Sequence, residues 1–363
     1  MKTKALIPIF FALKNYRAAL IAALFFAFIA PGTKYLIHAL PPQSMAGVLY
    51  FCAGLGLLLV LILKKEFQNS INQFQKKDWK WLIAATFFGG ILGPAFLTYG
   101  MIRISGSTAS LLLNLESVLT SLIAWFIFKE HFEKRIVWGM LFIVAGCVIL
   151  SLGSQGSHGQ DTGLGFVLIA LASLSWGIDN NVTRNISHLN PIFTASIKGL
   201  IAGAANLFLG FLIGERLNFD FSLLQAGALG FLGIGISLVA FIVSLGKIGT
   251  ARTGALFSTA PFIGSILSIL ILKEPISVPF TIALILMACG VWFHLSEVHV
   301  HEHIHKEFEH GHKHIHDEHH QHTHGPNDPP GEPHGHFHRH EKMIHKHPHF
   351  PDIHHQHSHK KKN

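Results

Sequence analysis

Charge is what this sequence has least of. Asp, Glu, Lys and Arg make up 13% of its 363 residues, against about 25% in an ordinary soluble domain. Those present crowd into short connections and one tail. Half of the chain is hydrophobic, which excludes a soluble globular protein and points to an integral membrane protein. Cysteine is scarce as well. Cys52, Cys147 and Cys289 all lie inside apolar runs, so they read as small buried hydrophobes and not as a disulfide frame or metal site. The usual catalytic signatures are missing: no Ser-His-Asp arrangement, no Cys-x-x-Cys pair, no phosphate-binding Gly loop and no His-Glu-x-x-His. Neither an enzyme nor an ATP-driven pump is expected, and no cofactor is required. The net charge of +8 belongs to residues flanking apolar runs, so membrane topology explains its sign and no nucleic-acid partner follows.

What the chain has in quantity is apolar runs about twenty residues long. Ten spans are expected, at about 17–39, 43–63, 79–101, 107–128, 135–152, 163–186, 191–213, 222–246, 251–272 and 276–296. Lys and Arg orient them. With the N-terminus inside, the cytoplasmic segments hold fifteen: three in the N-terminal arm 1–16 with Arg17 beside it, five in 64–80, three in 129–135, then Arg184, Lys247 and Arg252. The outside connections hold three, Arg103, Arg216 and Lys273. Both termini are therefore expected in the cytoplasm.

The chain also repeats itself. Residues 106–130 read GSTASLLLNLESVLTSLIAWFIFKE and residues 249–274 read GTARTGALFSTAPFIGSILSILILKE. Each opens on Gly and small residues and closes on Lys-Glu. Five spans per copy is an odd number, so the halves 17–152 and 163–297 enter the membrane in opposite senses. The expected fold is an all-α integral membrane protein, ten transmembrane helices as two inverted five-helix repeats, with a cavity between the halves near the midplane. Pro31, Pro94 and Pro261 are positioned to interrupt their helices. Trp79, Trp81 and Trp138 fit an aromatic belt.

Ionisable groups at bilayer depth need a cavity or a partner. Glu116 lies about 14 Å from the nearer end of span 4, too deep for its short side chain to reach the surface. Asn114 is half a turn away and Thr120 one turn further on the same face. Span 6 carries Trp176-Gly177-Ile178-Asp179-Asn180-Asn181. Glu116, Asn114, Thr120, Trp176, Asp179, Asn180 and Asn181 are the candidate cavity-lining residues for substrate or coupling ion. The bland alternative for Glu116 is a protonated structural carboxyl. Lys34, Arg184 and Lys198 are expected to snorkel to the interface. Lys129-Glu130 and Lys273-Glu274 are expected to be interfacial caps and loop charges.

The repeated small-residue opening and terminal Lys-Glu of spans 4 and 9, with SWGIDNNVTRNIS in span 6, resemble the EamA family of the drug/metabolite transporter superfamily, over roughly residues 15–297. The resemblance implies a bacterial inner-membrane carrier, often an exporter of amino acids, metabolites or drugs, commonly coupled to protons. Its expected partners are the lipid bilayer, a small-molecule substrate, protons as coupling ion and a second copy in a homodimer. The family pattern has a proline near the centre of span 4; here span 9 keeps Pro261 while span 4 reads Leu115-Glu116-Ser117.

Residues 298–363 are a separate object. Of 28 histidines, all but five lie at or after His299, in runs containing His299, His301, His303, His305, then His310, His312, His314, His316, then His334, His336, His338 and His340. With few apolar residues, the segment is expected to be a disordered cytoplasmic tail able to bind Zn, Ni, Co or Cu. Three functions are thus in play: a secondary transporter of a small organic solute, a divalent transition-metal transporter served by the tail, and a membrane-tethered metal-binding protein.

Overall fold

The computed structural model describes residues 6–127, 134–154 and 161–296, together with four short stretches of the tail. Ten helices are long and apolar enough to cross a membrane: Tyr16–Leu36, Pro42–Leu63, Lys76–Met101, Gly106–Phe126, Lys134–Gly153, Gly163–Ile186, Pro191–Leu212, Phe221–Ile248, Arg252–Leu272 and Val278–Leu295. They are spans 1 to 10 below, and they match the sequence expectation to within a few residues. Their outer faces expose large apolar side chains such as Leu63, Phe126, Leu152, Phe211 and Leu270, as lipid contact requires.

The two halves are interleaved as an inverted repeat. Span 2 packs along span 7, span 5 along span 10 and span 4 against span 9, each with its own counterpart. Span 6 packs on spans 3 and 4, mirroring span 1 on spans 8 and 9. Close approach at the 2–7 contact depends on small residues. A Cβ on Gly199 would lie 2.8 Å from the Gly54 Cα, so a larger residue there would force the helices apart.

Backbone irregularities repeat as well. A π-helix runs over Thr86–Leu92 in span 3 and another over Gly230–Ile236 in span 8, 144 positions later. Span 9 breaks at Ser258–Thr259, ahead of Pro261. Span 4 breaks at Leu113–Asn114 between helices Gly106–Leu112 and Leu115–Phe126, although no proline is there. The break is made without the proline: Glu116 N donates to Leu113 O and Ser117 N to Asn114 O, the tight i+3 pattern that ends one helix and starts another. The Ser117 hydroxyl also donates to Asn114 O at 2.8 Å.

Charged residues tie the ends of spans together across the repeat. Glu274, past the end of span 9, accepts from the Gly106 and Ser107 amides that start span 4, both at 2.7 Å. Glu215, past span 7, accepts from the Gln43 and Ser44 amides that start span 2, at 3.1 and 2.7 Å. At the opposite face, Asn190 accepts from the Ile192 and Phe193 amides at the start of span 7 and donates to Glu66, past span 2. Carboxylates at helix N-termini satisfy amides that have no partner within the helix. Glu274 is therefore more than a loop charge: it links the two halves. Its counterpart Glu130 lies outside the described residues. Lys34 was expected to snorkel; instead its Nζ donates to Met101 O and Ile104 O, both at 2.7 Å, capping the end of span 3.

Trp138 is exposed, as a belt residue should be. Trp79 and Trp81 instead pack half-buried against Leu82, Ile186 and Leu189. The tail is a unit of its own. Within 298–363, which the sequence leaves without a fold of its own, the described stretches are strands β1 His299–His305, β2 Phe308–His314, β3 His334–His340 and β4 Met343–His349. They pair antiparallel, β1 with β4 and β2 with β3. His-x-His alternation has the period of a strand, two residues.

Candidate functional site

The site grows from Pro94. Without an N–H, proline cannot donate to the carbonyl four residues back, nor in a π-helix to the one five back. Gly90 O and Gly89 O are thereby freed in the apolar middle of span 3, and both are satisfied by side chains from other spans. Asn206 Nδ2 of span 7 donates to Gly90 O at 3.0 Å. Tyr50 Oη of span 2 and Trp176 Nε1 of span 6 both donate to Gly89 O, at 2.8 and 3.0 Å. One proline thus organises polar contacts from spans 2, 6 and 7, as burial of free carbonyls demands.

Gly89 also lets span 6 come close, because a Cβ there would fall on the Asp179 carboxylate. Asp179 is buried and forms an ion pair with buried Lys198 of span 7. The Thr183 hydroxyl donates to its other oxygen at 2.8 Å. The expectation that Lys198 snorkels is corrected here. It enters about 10 Å along span 7, faces inward, and is 2% exposed. Lys198 is thus the lysine in contact with Asp179, while Lys34 is engaged at the end of span 3. Arg184 has a partner of its own and is half-buried.

Glu116 is buried on the other side of the same space. Asn180 Nδ2 donates to its Oε1 at 2.8 Å and reaches Thr120 Oγ1 at 3.2 Å. Asn181 Nδ2 donates to Thr120 O at 3.0 Å and to Gly177 O at 2.9 Å, locking span 6 to the second half of span 4. Asn114 Nδ2 donates to Leu111 O at 3.1 Å, and the residue sits at the span 4 break.

These groups surround one cavity, drawn from both halves. Its walls include Phe26, Tyr50, Glu116, Trp176, Asp179, Asn180, Lys198, Ser237, Phe241 and Phe257. Of the seven candidates from sequence, Glu116, Trp176, Asp179 and Asn180 line it. Thr120 and Asn181 stand behind Asn180 as supports, and Asn114 supports the helix break. Sequence reasoning missed Tyr50, Lys198, the Gly89 carbonyl and the aromatic wall. A signal existed for two of them: a tyrosine eight residues into span 2 is far from any interface belt, and Pro94 announces free carbonyls.

Among the described residues, no three His, Cys, Asp or Glu side chains converge as metal ligands. His294 lies 3.3 Å from Ile136 O. The side chains of the tail histidines, and His316 altogether, lie outside the described residues.

Comparison with known proteins gives a consistent picture. The model of the EamA-like transporter family matches residues 14–152 and again 163–296. An uncharacterized transporter of Methanothermobacter thermautotrophicus is 24% identical, over 77% of this chain and 85% of its own. A probable amino-acid metabolite efflux pump of Salmonella typhimurium is 24% identical, over 74% of this chain and 90% of its own. One solved crystal structure, 18% identical, superposes with a TM-score of 0.61, covering 77% of this chain and 97% of that one; this likeness concerns the fold.

Proposed function

Because the chain belongs to the EamA-like transporter family, we propose that it is a secondary active exporter moving a small organic solute by alternating access around the central cavity. It is a multi-pass membrane protein and a transporter, not an enzyme. The observation that carries the finer reading is the placement of Glu116 and the Asp179–Lys198 pair in a cavity shared by two inverted halves. Charged groups at that depth are costly and are kept where a solute or ion must pass. Inverted halves supply the geometry for exposing such a site to either side.

The ties made by Lys34, Glu215 and Glu274 lie at one face, which the Lys and Arg distribution makes the outside of a bacterial inner membrane with both termini cytoplasmic. Proton coupling would fall to Glu116. The test is flux in reconstituted vesicles under an imposed proton gradient. Solute uptake should follow the gradient and be lost with Glu116→Gln; flux unaltered by both gradient and substitution removes the coupling assignment.

A second reading concerns the tail alone. In the β1–β4 ladder His299, His301 and His303 lie opposite His349, His347 and His345. In the β2–β3 ladder His310, His312 and His314 lie opposite His338, His336 and His334. The density of histidines in the tail supports binding of Zn, Ni, Co or Cu. Truncation after Glu297 should abolish nickel binding in calorimetry while leaving solute flux intact. Unchanged nickel binding refutes the tail as the site, and lost flux refutes its independence from transport.

A further inference from the structure

We propose that the cavity takes an organic cation, an ammonium group on an apolar body of about aromatic size. This rests on the cavity being the transport site. Three ionisable carboxylate or amine side chains line it, Glu116, Asp179 and Lys198. Asp179 and Lys198 are paired with each other, and Thr183 occupies the second oxygen of Asp179. The cation and one anion of the cavity are therefore already committed.

Glu116 is not. Its Oε1 receives one neutral amide bond from Asn180. Among the described residues nothing donates to Oε2, and no cation lies within ion-pair distance. A buried carboxylate with a single neutral donor is short of compensation, and a positively charged ligand supplies what the protein omits.

The walls favour the same class. Trp176, Phe26, Phe257 and Phe241 form a continuous chain of rings, with centroids 5.7, 5.0 and 5.0 Å apart in that order. All four line the cavity with Glu116. Aromatic faces attract ammonium groups, more strongly when water is excluded. An anion would meet Glu116 with Lys198 already engaged. A zwitterion would have to take Lys198 from Asp179 to pair its own carboxylate. A cation needs neither rearrangement.

The experiment uses three probes with the same ring: phenethyltrimethylammonium (fixed positive charge), L-phenylalanine (zwitterion) and 3-phenylpropionate (anion). Binding to the purified full-length protein in detergent is read by calorimetry. The cation should bind at least tenfold more tightly than either of the others. Glu116→Gln should weaken it tenfold or more, Glu116→Asp should keep most of it, and Phe257→Leu should weaken it severalfold. Thermal melting of each variant separates lost binding from lost folding. Equal or tighter binding of L-phenylalanine or 3-phenylpropionate, or cation binding indifferent to Glu116→Gln, overturns the assignment. Vesicle counterflow separates this inference from its premise. Glu116-dependent cation binding without flux sinks the transport reading and leaves a cation site. Flux of L-phenylalanine insensitive to Glu116→Gln sinks the cation reading and leaves a transporter.

Discussion

The Asp179–Lys198 pair should be the most sensitive joint within the second half, and the structure indicates by how much. Both groups are buried, at 5% and 2% exposure, and each is the other's only charged partner within ion-pair distance among the described residues. Removing one partner leaves a buried charge. Lys198→Met would leave Asp179 with only the Thr183 hydroxyl, and Asp179→Asn would leave Lys198 facing a neutral amide. Breaking such a pair costs about 3–5 kcal/mol, whereas replacing both partners is often near neutral. In Asp179→Asn/Lys198→Met the amide keeps the Thr183 bond and no charge remains, so the double variant should lose less than either single one. The coupling between the two sites should then be at least about 3 kcal/mol. At about 2–4 °C per kcal/mol, the scale for domains of 150–250 residues, each single variant should melt on the order of 10 °C lower. The assay is thermal unfolding in detergent followed by intrinsic tryptophan fluorescence. Single effects below about 1 kcal/mol that add in the double variant would refute the claim that this pair holds span 6 to span 7.

Three other perturbations are sharp. Gly89→Ala puts a methyl onto the Asp179 carboxylate and should destabilise by several kcal/mol, while Gly254→Ala, with nothing within 4 Å of its added Cβ, should be close to neutral in the same melt. Glu274→Ala removes the carboxylate from the Gly106 and Ser107 amides and should cost about 0.5–2 kcal/mol, with faster hydrogen exchange confined to the first turn of span 4; exchange unchanged there would dismiss it as a cap. Asp220, just before span 8, is held below its ordinary carboxylate range first by the Ser222 hydroxyl and then by backbone amides. A depressed value means the cap is present above the unfolded carboxylate range and lost as pH falls through the folded value, so the Ser222 amide should lose protection relative to its intrinsic exchange rate in acid, and a protection factor flat with pH would contradict the bond.

Much of this was legible in the sequence, because lipid leaves few choices. Apolar length places the spans, and the 144-residue spacing of the Lys-Glu helices announces the repeat that the π-helices at Thr86 and Gly230 then share. Glu116 and Asp179 stand out because a carboxylate at depth has too short a side chain to snorkel to the surface. Lys198 does have one, since a long stem can snorkel, and only packing decides whether its face meets lipid or protein. The span 4 break was hidden for a related reason. Proline is a visible breaker, whereas the Leu113–Asn114 turn rests on backbone bonds and the Ser117 hydroxyl, and Ser and Asn side chains in a helix have several backbone partners open to them. Pro94 is visible, but its consequence is not, because Tyr50, Trp176 and Asn206 come from three other spans.

The scaffold obeys the repeat and the chemistry does not. Spans 2 and 7 both run 22 residues from a proline, and the helix position of Lys198 in span 7 is that of Leu49 in span 2. Both face the cavity. Glu116 corresponds by the 144-residue offset to Ala260, which packs against Ala23 and Ala27 with no space for a carboxylate. The freed Gly89 and Gly90 carbonyls of span 3 meet side-chain donors, whereas Gly233 in the matching π-helix of span 8 meets Ile29. The polar centre therefore gathers where spans 3, 4, 6 and 7 meet, and spans 1, 8 and 9 supply most of the apolar wall to it. Exchange of the two halves between mirrored arrangements requires backbone symmetry alone, so the repeat can be conserved in its π-helices and breaks while its polar side chains specialise. A fully symmetric set of charges would place a second carboxylate and a second ion pair in the same low-dielectric space, at a cost that one set already makes considerable.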